Sequence, residues 1–529
     1  VKGSSHEPKI VLIGIDSADY HVLQTLLKGE KLPNISTFRK EGIHRLPSTI
    51  PPHTAASWTS MFTGTNPGKH GVYYFRDVHS NRILSSKDVN APYLWDLLSQ
   101  AGKRSIVMNV PLTYPIRPIK GVMISGIHAS KADSMSVYPE EIVPEIRLNY
   151  KFDLEGIDLP YSFAREPDSA FDQLISGESS RVAIFTKFLR EFEWDFACIV
   201  LTALDRIQHY FWGLCNSENP GGRYIERAYC CIDSLVGKIL DAITDFEAVS
   251  FLVSDHGFEE KVKAININTI LANAGLLRPR TVRNDFEERA VRFGYEFLSR
   301  RTPKRLGRIL ACALERLVPN LLTHRFDLPP IDSSRTMAYC YSYGLISINL
   351  RDRNQDGIVG LSEARAISEQ IIRVIESTNI DGSEVRLSIL KSSEIYSGEK
   401  VSSAPDLVIV PLKGYYYSCH LGKNIFDNQV LGEHGNDGII AINGKGVEIN
   451  KLIDGAKVWD VAATVLKCFG FDVPEQMDGT PRAFLKNLSS GSNHTLLNSR
   501  RSSEESKWQV YTREEEEIIA NRLKAMGYE

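Results

Sequence analysis

The most regular feature of the chain is a series of short, nearly continuous apolar runs separated by amphipathic stretches. The first, Lys9-Ile10-Val11-Leu12-Ile13-Gly14-Ile15-Asp16, ends on a carboxylate. Uninterrupted apolar runs of this length read as strands buried on both faces, as in a parallel sheet. Similar runs lie at 105–110, 196–201, 249–253, 407–410 and 438–442, with helical patterns at 93–101, 178–192, 223–244 and 457–469. Strands alternating with helices over this length predict an α/β fold: a doubly wound, largely parallel central sheet with helices on both faces. No internal repeat is visible.

Two regions leave this rhythm. Residues 278–330 are basic and helical in pattern, with Arg300-Arg301, Lys304-Arg305 and Arg308 among Leu, Phe and Ile, and read as an inserted helical cap. Such a cap could meet an anionic substrate or membrane surface, although a solvated helix face ordinarily carries this charge without either. Residues 489–506, rich in Ser and Asn, read as a flexible linker. They lead to a helix at 512–526 with four Glu at 514–517 and with Arg522 and Lys524 near its end. That order suits the helix dipole and reads as a docking tail. The expected organisation is a core in two parts, 8–277 and 331–488, a cap at 278–330, and a linker with docking helix at 489–529.

Composition narrows the picture. With 529 residues, 43% hydrophobic, 24% charged, 37 Gly and 24 Pro, the chain is neither disordered, collagen-like nor low-complexity. The length fits about three domains or one large α/β unit with insertions. A net charge of -3 and a pI near 6.5 give no sign of a nucleic-acid polymer as partner. No apolar run approaches the roughly 18–20 residues of a transmembrane segment. The opening VKGSSHEPKI lacks the apolar stretch of a signal peptide, and a segment upstream of Val1 is left open. Eight Cys, scattered singly apart from Cys230-Cys231, form no disulfide framework, so a reducing, cytoplasmic setting is expected. The sequons at Asn34, Asn487 and Asn493 then carry little meaning.

Candidate chemistry gathers in three carboxylate–histidine clusters. In Asp205-Arg206-Ile207-Gln208-His209, a helix would put Asp205 and His209 on one face. Ser254-Asp255-His256-Gly257 ends a predicted strand, where O and N ligands beside a permissive Gly suit a loop wrapped around an ion. Gly432-Glu433-His434-Gly435-Asn436-Asp437-Gly438 reads as a Gly-rich turn with His434 before another strand. With Asp16 there are three Asp and three His at strand ends, where open α/β sheets bind ligands. That is enough for two ions, zinc first and manganese second. A lone His of this kind is more often a structural hydrogen-bonding residue; the set carries the inference. Pro51-Pro52 ends any preceding helix and Thr54-Ala55-Ala56 begins one, so Thr54 is expected at an N-cap or first helical position. A helix N-terminus also suits an anion, although most Thr residues so placed are only caps.

These residues resemble the type I phosphodiesterase/nucleotide pyrophosphatase branch of the alkaline phosphatase superfamily, more closely its soluble phosphohydrolase/phosphomutase-like members. The resemblance spans about 9–478 and is carried by GIDS (14–17), PPHTAASWTSMFTGTNPGKHGV (51–72), APYLWDLLSQAGKR (91–104), NVPLTYP (109–115), DRIQHYFW (205–212), SDHGF (254–258), GEHGNDG (432–438) and MDG (477–479). It implies an alkaline-phosphatase-like fold, a small phosphorylated substrate and two metal sites. Asp205, His209 and His434 would hold one ion. Asp16, Asp255 and His256 would hold the other, with Thr54 on it as nucleophile and a phosphothreonine intermediate. Zinc is expected, manganese possible. Where nucleotide pyrophosphatases carry a phosphate-binding Asn this chain has Phe75, leaving Arg76 or Asn109 as candidate substrate donors. The modified Cys or Ser motif of sulfatases is absent, and Thr argues against the Ser-dependent phosphoglycerate mutases. Alternatives are a phosphomonoesterase, phosphomutase or phosphonate hydrolase on the same site, or a non-catalytic or calcium-responsive binding protein. For the last, Asp352, Asn354, Asp356 and Glu363 fit an EF-hand loop pattern, though the strand-like residues before it argue against a true helix–loop–helix. Oligomeric state is not legible. Specificity is expected in the cap and in Phe75, Tyr114 and Tyr343.

Overall fold

The computed structural model describes residues 8–129, 131–150, 166–212, 221–280, 331–379, 386–449, 451–485 and 510–525. Its centre is an eight-stranded sheet. Seven strands are, in chain order, β1 (Ile10–Ile15), β2 (Ile43–Pro47), β3 (Ser105–Val110), β4 (Gly121–Ser125), β5 (Val137–Tyr138), β6 (Phe196–Leu201) and β7 (Val249–Val253); the eighth is Asp437–Asn443. Across the sheet they run β2, Asp437–Asn443, β7, β1, β6, β3, β4, β5. The stretch from β7 to β4 is parallel throughout. β1, β3, β6 and β7 are buried at every position, which requires helices on both faces.

The doubly wound α/β sheet expected from the sequence is therefore the architecture, with two differences. The run at 438–442 enters the sheet antiparallel to both β7 and β2. The run at 407–410 forms Leu407–Ile409 in a separate four-stranded antiparallel sheet with Ile389–Lys391, Leu345–Ile348 and Ala338–Cys340. An apolar run records burial on both faces and says nothing of direction or of which sheet it joins.

The helix Thr54–Thr63 is buried along its whole length. Its Trp58 lies so close to β1 that a Cβ on Gly14 would come within 2.5 Å of the indole. The predicted cap falls almost wholly outside the described residues, but its ends meet: Pro279 bridges Ile331, and Asp332 N donates to Arg278 O at 2.9 Å. The linker at 489–506 also lies outside them. The helix Arg513–Ala525 rests on the core through buried Ile519 and Leu523, a Tyr511–Tyr114 ring stack at 5.5 Å, and Arg522 Nη1 donating to Ala129 O at 2.7 Å. Among the described residues no helix is long and apolar enough to cross a membrane.

Candidate metal centre

Register brings the clusters together. Ile15 pairs with Leu201 and Gly14 with Val253, so the residues after β1, β6 and β7 emerge side by side at the carboxyl edge of the sheet. Asp16 follows β1 directly, its N–H donating to Leu201 O at 2.9 Å. After β6 the chain enters the helix Ala203–Phe211, which places Asp205 and His209 one turn apart on one face. After β7 come Asp255 and His256. Gly257 follows because a Cβ there would sit 2.6 Å from both Asp19 Oδ2 and Asp437 O.

His434 does not lie in a Gly-rich turn. It belongs to the ten-residue strand Phe426–Gly435, opposite Phe258 of Gly257–Asn266. The glycine that looked like a turn residue, Gly432, is there for close packing: a Cβ would fall 2.1 Å from Trp212 Cβ. The antiparallel entry of Asp437–Asn443 returns this strand end to the edge where β1, β6 and β7 finish.

Two groups of donor atoms converge, Asp205/His209/His434 and Asp16/Asp205/His256. In the first, His209 Nε2 and His434 Nε2 are 3.2 Å apart, and each is 3.5 Å from Asp205 Oδ1. In the second, His256 Nε2 is 3.5 Å from Asp16 Oδ1, 3.2 Å from Asp255 Oδ2 and 3.0 Å from Thr54 Oγ1. Asp205 thus reaches both groups, whereas the resemblance gave it to one ion.

Thr54 is the first residue of its helix, behind His53 as N-cap, and is fully buried. His53 Nδ1 accepts from Ala55 N at 3.2 Å and so caps the helix. The imidazoles are turned by backbone carbonyls. His256 Nδ1 lies 2.9 Å from Gly257 O and His434 Nδ1 3.3 Å from Pro52 O. With a proton on each Nδ1 for these carbonyls, each Nε2 is the nitrogen left to offer a lone pair to an ion in the cluster.

The carboxylates cannot share this space as free anions. Burial, reinforced by Asp205, pushes the Asp16 carboxyl up to about 8. Burial and then Asp16 raise Asp255 well above the usual range. Burial opposes ionisation of Asp205 too, but His209, His434 and Arg206 hold it well below its ordinary value. Burial lowers His256, His209 and His53.

These residues fit divalent ions. Asp16 Oδ1 and Asp255 Oδ2 are buried without a hydrogen-bond partner, and buried acceptors of this kind require a cation or a donor. Donors about 2.0–2.1 Å from a tetrahedral zinc lie about 3.3–3.4 Å from one another. The separations of 3.0–3.5 Å found here bracket that value.

The other predicted residues take varied places. Phe75 is fully buried, 5.1 Å from the His53 ring and 5.3 Å from that of His128. Arg76 Nη1 donates to Asn81 O and lines a cavity of about 360 Å³ with Arg82, Glu516 and Glu517. Asn109, at φ 58°, donates through Nδ2 to Val200 O at 2.8 Å. In the EF-hand-like loop Asp352 is exposed. Asn354 donates to His79 O, Asp356 accepts from Ser333 Oγ, and Glu363 caps its own helix at Gly360 N. Among the described residues, the groups able to hold a metal ion do not include this loop.

Several supporting residues had no separate signal in the sequence. Trp58 Nε1 donates to Asp16 Oδ2 at 3.4 Å, and Gln208 Nε2 donates to Ser17 O and Oγ at 2.9 and 2.7 Å. Ser17 itself adopts φ 61° and donates to Asp255 Oδ1 at 3.3 Å. Glu433 Oε1 accepts from Tyr343 Oη and from His434 N. Trp58, Gln208 and Glu433 lie within the quoted sequence blocks, but their roles depend on cross-chain geometry.

The family model that matches the chain, over residues 10–437, is described as type I phosphodiesterase / nucleotide pyrophosphatase. Among solved structures the chain is similar to phosphonoacetate hydrolase from Sinorhizobium meliloti 1021 in complex with phosphonoformate. Identity is 16%, with 86% of this chain and 95% of that one covered and a TM-score of 0.50. It is also similar to human ectonucleotide pyrophosphatase / phosphodiesterase 5, at 12% identity, 89% and 97% coverage and a TM-score of 0.48. No curated protein matches the chain.

Proposed function

The chain belongs to the type I phosphodiesterase/nucleotide pyrophosphatase family and is a metal-dependent phosphoric ester hydrolase; from that premise we propose that it cleaves phosphodiester or pyrophosphate bonds through a phosphothreonine intermediate on Thr54. The observation that carries this reading is the position of Thr54 Oγ1. It is buried at a helix N-terminus, 3.0 Å from His256 Nε2, in the same space as Asp16 and Asp255.

Each residue type then has a task. Asp205, His209 and His434 would hold one ion, and Asp16, Asp255 and His256 the other, with Asp205 within reach of both. When bound, divalent ions, zinc ahead of manganese for these donors, lower the pKa of the nucleophilic hydroxyl and neutralise phosphoryl charge. Thr54 Oγ attacks phosphorus in line with the departing ester oxygen: the Oγ–P bond forms, the P–O bond to the leaving alcohol breaks, and the alcohol leaves with a proton. Water then cleaves the Oγ–P bond, releasing the phosphorylated product and restoring the hydroxyl. The helix N-terminus under Thr54 favours the negative charge that builds there. The carbonyls of Gly257 and Pro52 fix two imidazoles so that no ring rotation accompanies the reaction.

Diesters are favoured over monoesters because Thr54 matches the diesterase branch. Hydrolysis of bis-p-nitrophenyl phosphate against p-nitrophenyl phosphate, with zinc or manganese and with Thr54→Ala, tests this. Diester-selective, metal-dependent turnover that vanishes in the variant is the expected result. Monoester-selective turnover, or turnover that survives Thr54→Ala, overturns it.

A further inference from the structure

The helix Ala203–Phe211 carries Asp205 and His209, yet its N-terminus has no local side-chain cap. Thr202 occupies the N-cap position in a helical conformation and makes no capping bond of its own. The donors at that end are taken by a carboxylate from another helix. Glu178, in the middle of Pro167–Glu191, is fully buried. Its Oε1 accepts from Thr202 N at 2.5 Å, Ala203 N at 2.6 Å and Thr202 Oγ1 at 3.3 Å. Arg181, itself 2% exposed, grips the same carboxylate: Nε donates to Oε2 at 3.1 Å and Nη2 lies 3.1 Å from Oε1.

Three physical points give this arrangement a role. A negative charge at a helix N-terminus meets the positive end of the dipole, and charge-assisted bonds to backbone N–H groups are among the stronger ones. A buried carboxylate with a buried guanidinium is poorly explained as a stabiliser, since desolvating both charges offsets much of their attraction. Its geometric effect falls on two ligands: Asp205 is two residues beyond Ala203 and His209 one turn further. Metal bonds tolerate only about 0.2 Å of misplacement, so the position of this helix decides whether those two donors and His434 can meet.

We propose that Glu178 is a positioning residue that sets Asp205 and His209 for the ion shared with His434, with Arg181 holding its carboxylate in place. This rests on the two-metal reading above. The second ion depends on the helix only through Asp205, since Asp16, Asp255 and His256 come from the ends of β1 and β7.

The test is zinc titration of the full chain by calorimetry, with competition against a chelator, for wild type, Glu178→Asp and Glu178→Gln. Thermal melts of the same samples run alongside. Glu178→Asp keeps the charge but withdraws it by one methylene; Glu178→Gln keeps an acceptor without the charge. The expected result is two ions in wild type and, in both variants, the affinity of the site that takes both Asp205 and His209 weakened by roughly 10–100-fold, the usual cost of losing a residue that orients a metal ligand, with the other, which draws only Asp205 from this helix, weakened clearly less. Bis-p-nitrophenyl phosphate turnover should then fail at stoichiometric zinc and return with excess zinc. Unchanged affinities overturn the proposal, and so do two affinities that fall together with the melting temperature, which would mark a merely structural role. If neither variant folds, Arg181→Lys, which keeps the charge but not the fork, carries the same readout. A wild type that binds no zinc removes the two-metal reading and this inference with it.

Discussion

The electrostatics of the cluster predict that metal binding expels protons in a countable number. Burial and Asp205 push the Asp16 carboxyl up to about 8 in the metal-free chain, so at pH 7 it is mainly protonated. Asp255 lies well above its ordinary value for the same reasons. His434 is raised as well, the pull of Asp205 and Glu433 overcoming the burial that acts against it. His256 and His209 are lowered and arrive neutral. Ligands must be deprotonated to bind. Zinc uptake at pH 7 should therefore release on the order of one proton or more, from Asp16 first, with Asp255 and His434 adding to it. Each proton released makes the affinity rise about tenfold per pH unit, equivalent to about 1.4 kcal/mol. Calorimetric titration in two buffers of different ionisation enthalpy, at pH 6.5, 7 and 7.5, counts the protons directly. Ordinary carboxylates near pKa 4 would already be ionised and release none. A count near zero with an affinity flat across this range would refute the account of three buried carboxyls sharing one space.

The same groups fix the stability of the metal-free chain. Asp16 and Asp255, raised in the folded chain, keep protons that the unfolded chain has released by about pH 4, so their contribution to stability in chelator falls steadily from about pH 4 toward pH 8. The lowered His53, His209 and His256 act the other way below about pH 6.5, where the unfolded imidazoles take up protons that the buried ones do not, and three histidines against two carboxyls give a net rise up to that pH and a fall beyond it. Melting temperatures in chelator should therefore peak near pH 6.5, and a monotonic profile would contradict the sign of one set. Gly14→Ala drives a Cβ to within 2.5 Å of Trp58, and should cost about 1–3 kcal/mol by denaturant titration, as overpacked cores do. It should also weaken metal binding by displacing the indole that donates to Asp16. Tyr343→Phe removes the hydroxyl bonded to Glu433 at 2.9 Å; a destabilisation of about 1–2 kcal/mol, read by denaturation, is expected for an acceptor left short of a buried bond.

What the sequence made legible follows from what each signal encodes. A run such as 9–16 encodes burial on both faces, and that is enough to recover β1, β3, β6 and β7 and the α/β class. Direction is not encoded in it, so nothing in the run at 438–442 marks it as the antiparallel member of a largely parallel sheet. The spacing of Asp205 and His209 encodes a shared helix face because a four-residue separation is a local property, and the helix Ala203–Phe211 provides it. Gly432 was ambiguous because glycine serves both tight turns and close packing, and only the approach of Trp212 decides between them. Glu178 is the limiting case. It lies 24 residues before the backbone it caps and belongs to a helix whose sequence pattern reads only as amphipathic. Ligands can be found in a sequence because their element types are restricted and their spacing is short. The residues that orient those ligands need only be in the right place, and place is settled by the packing of whole helices against the sheet.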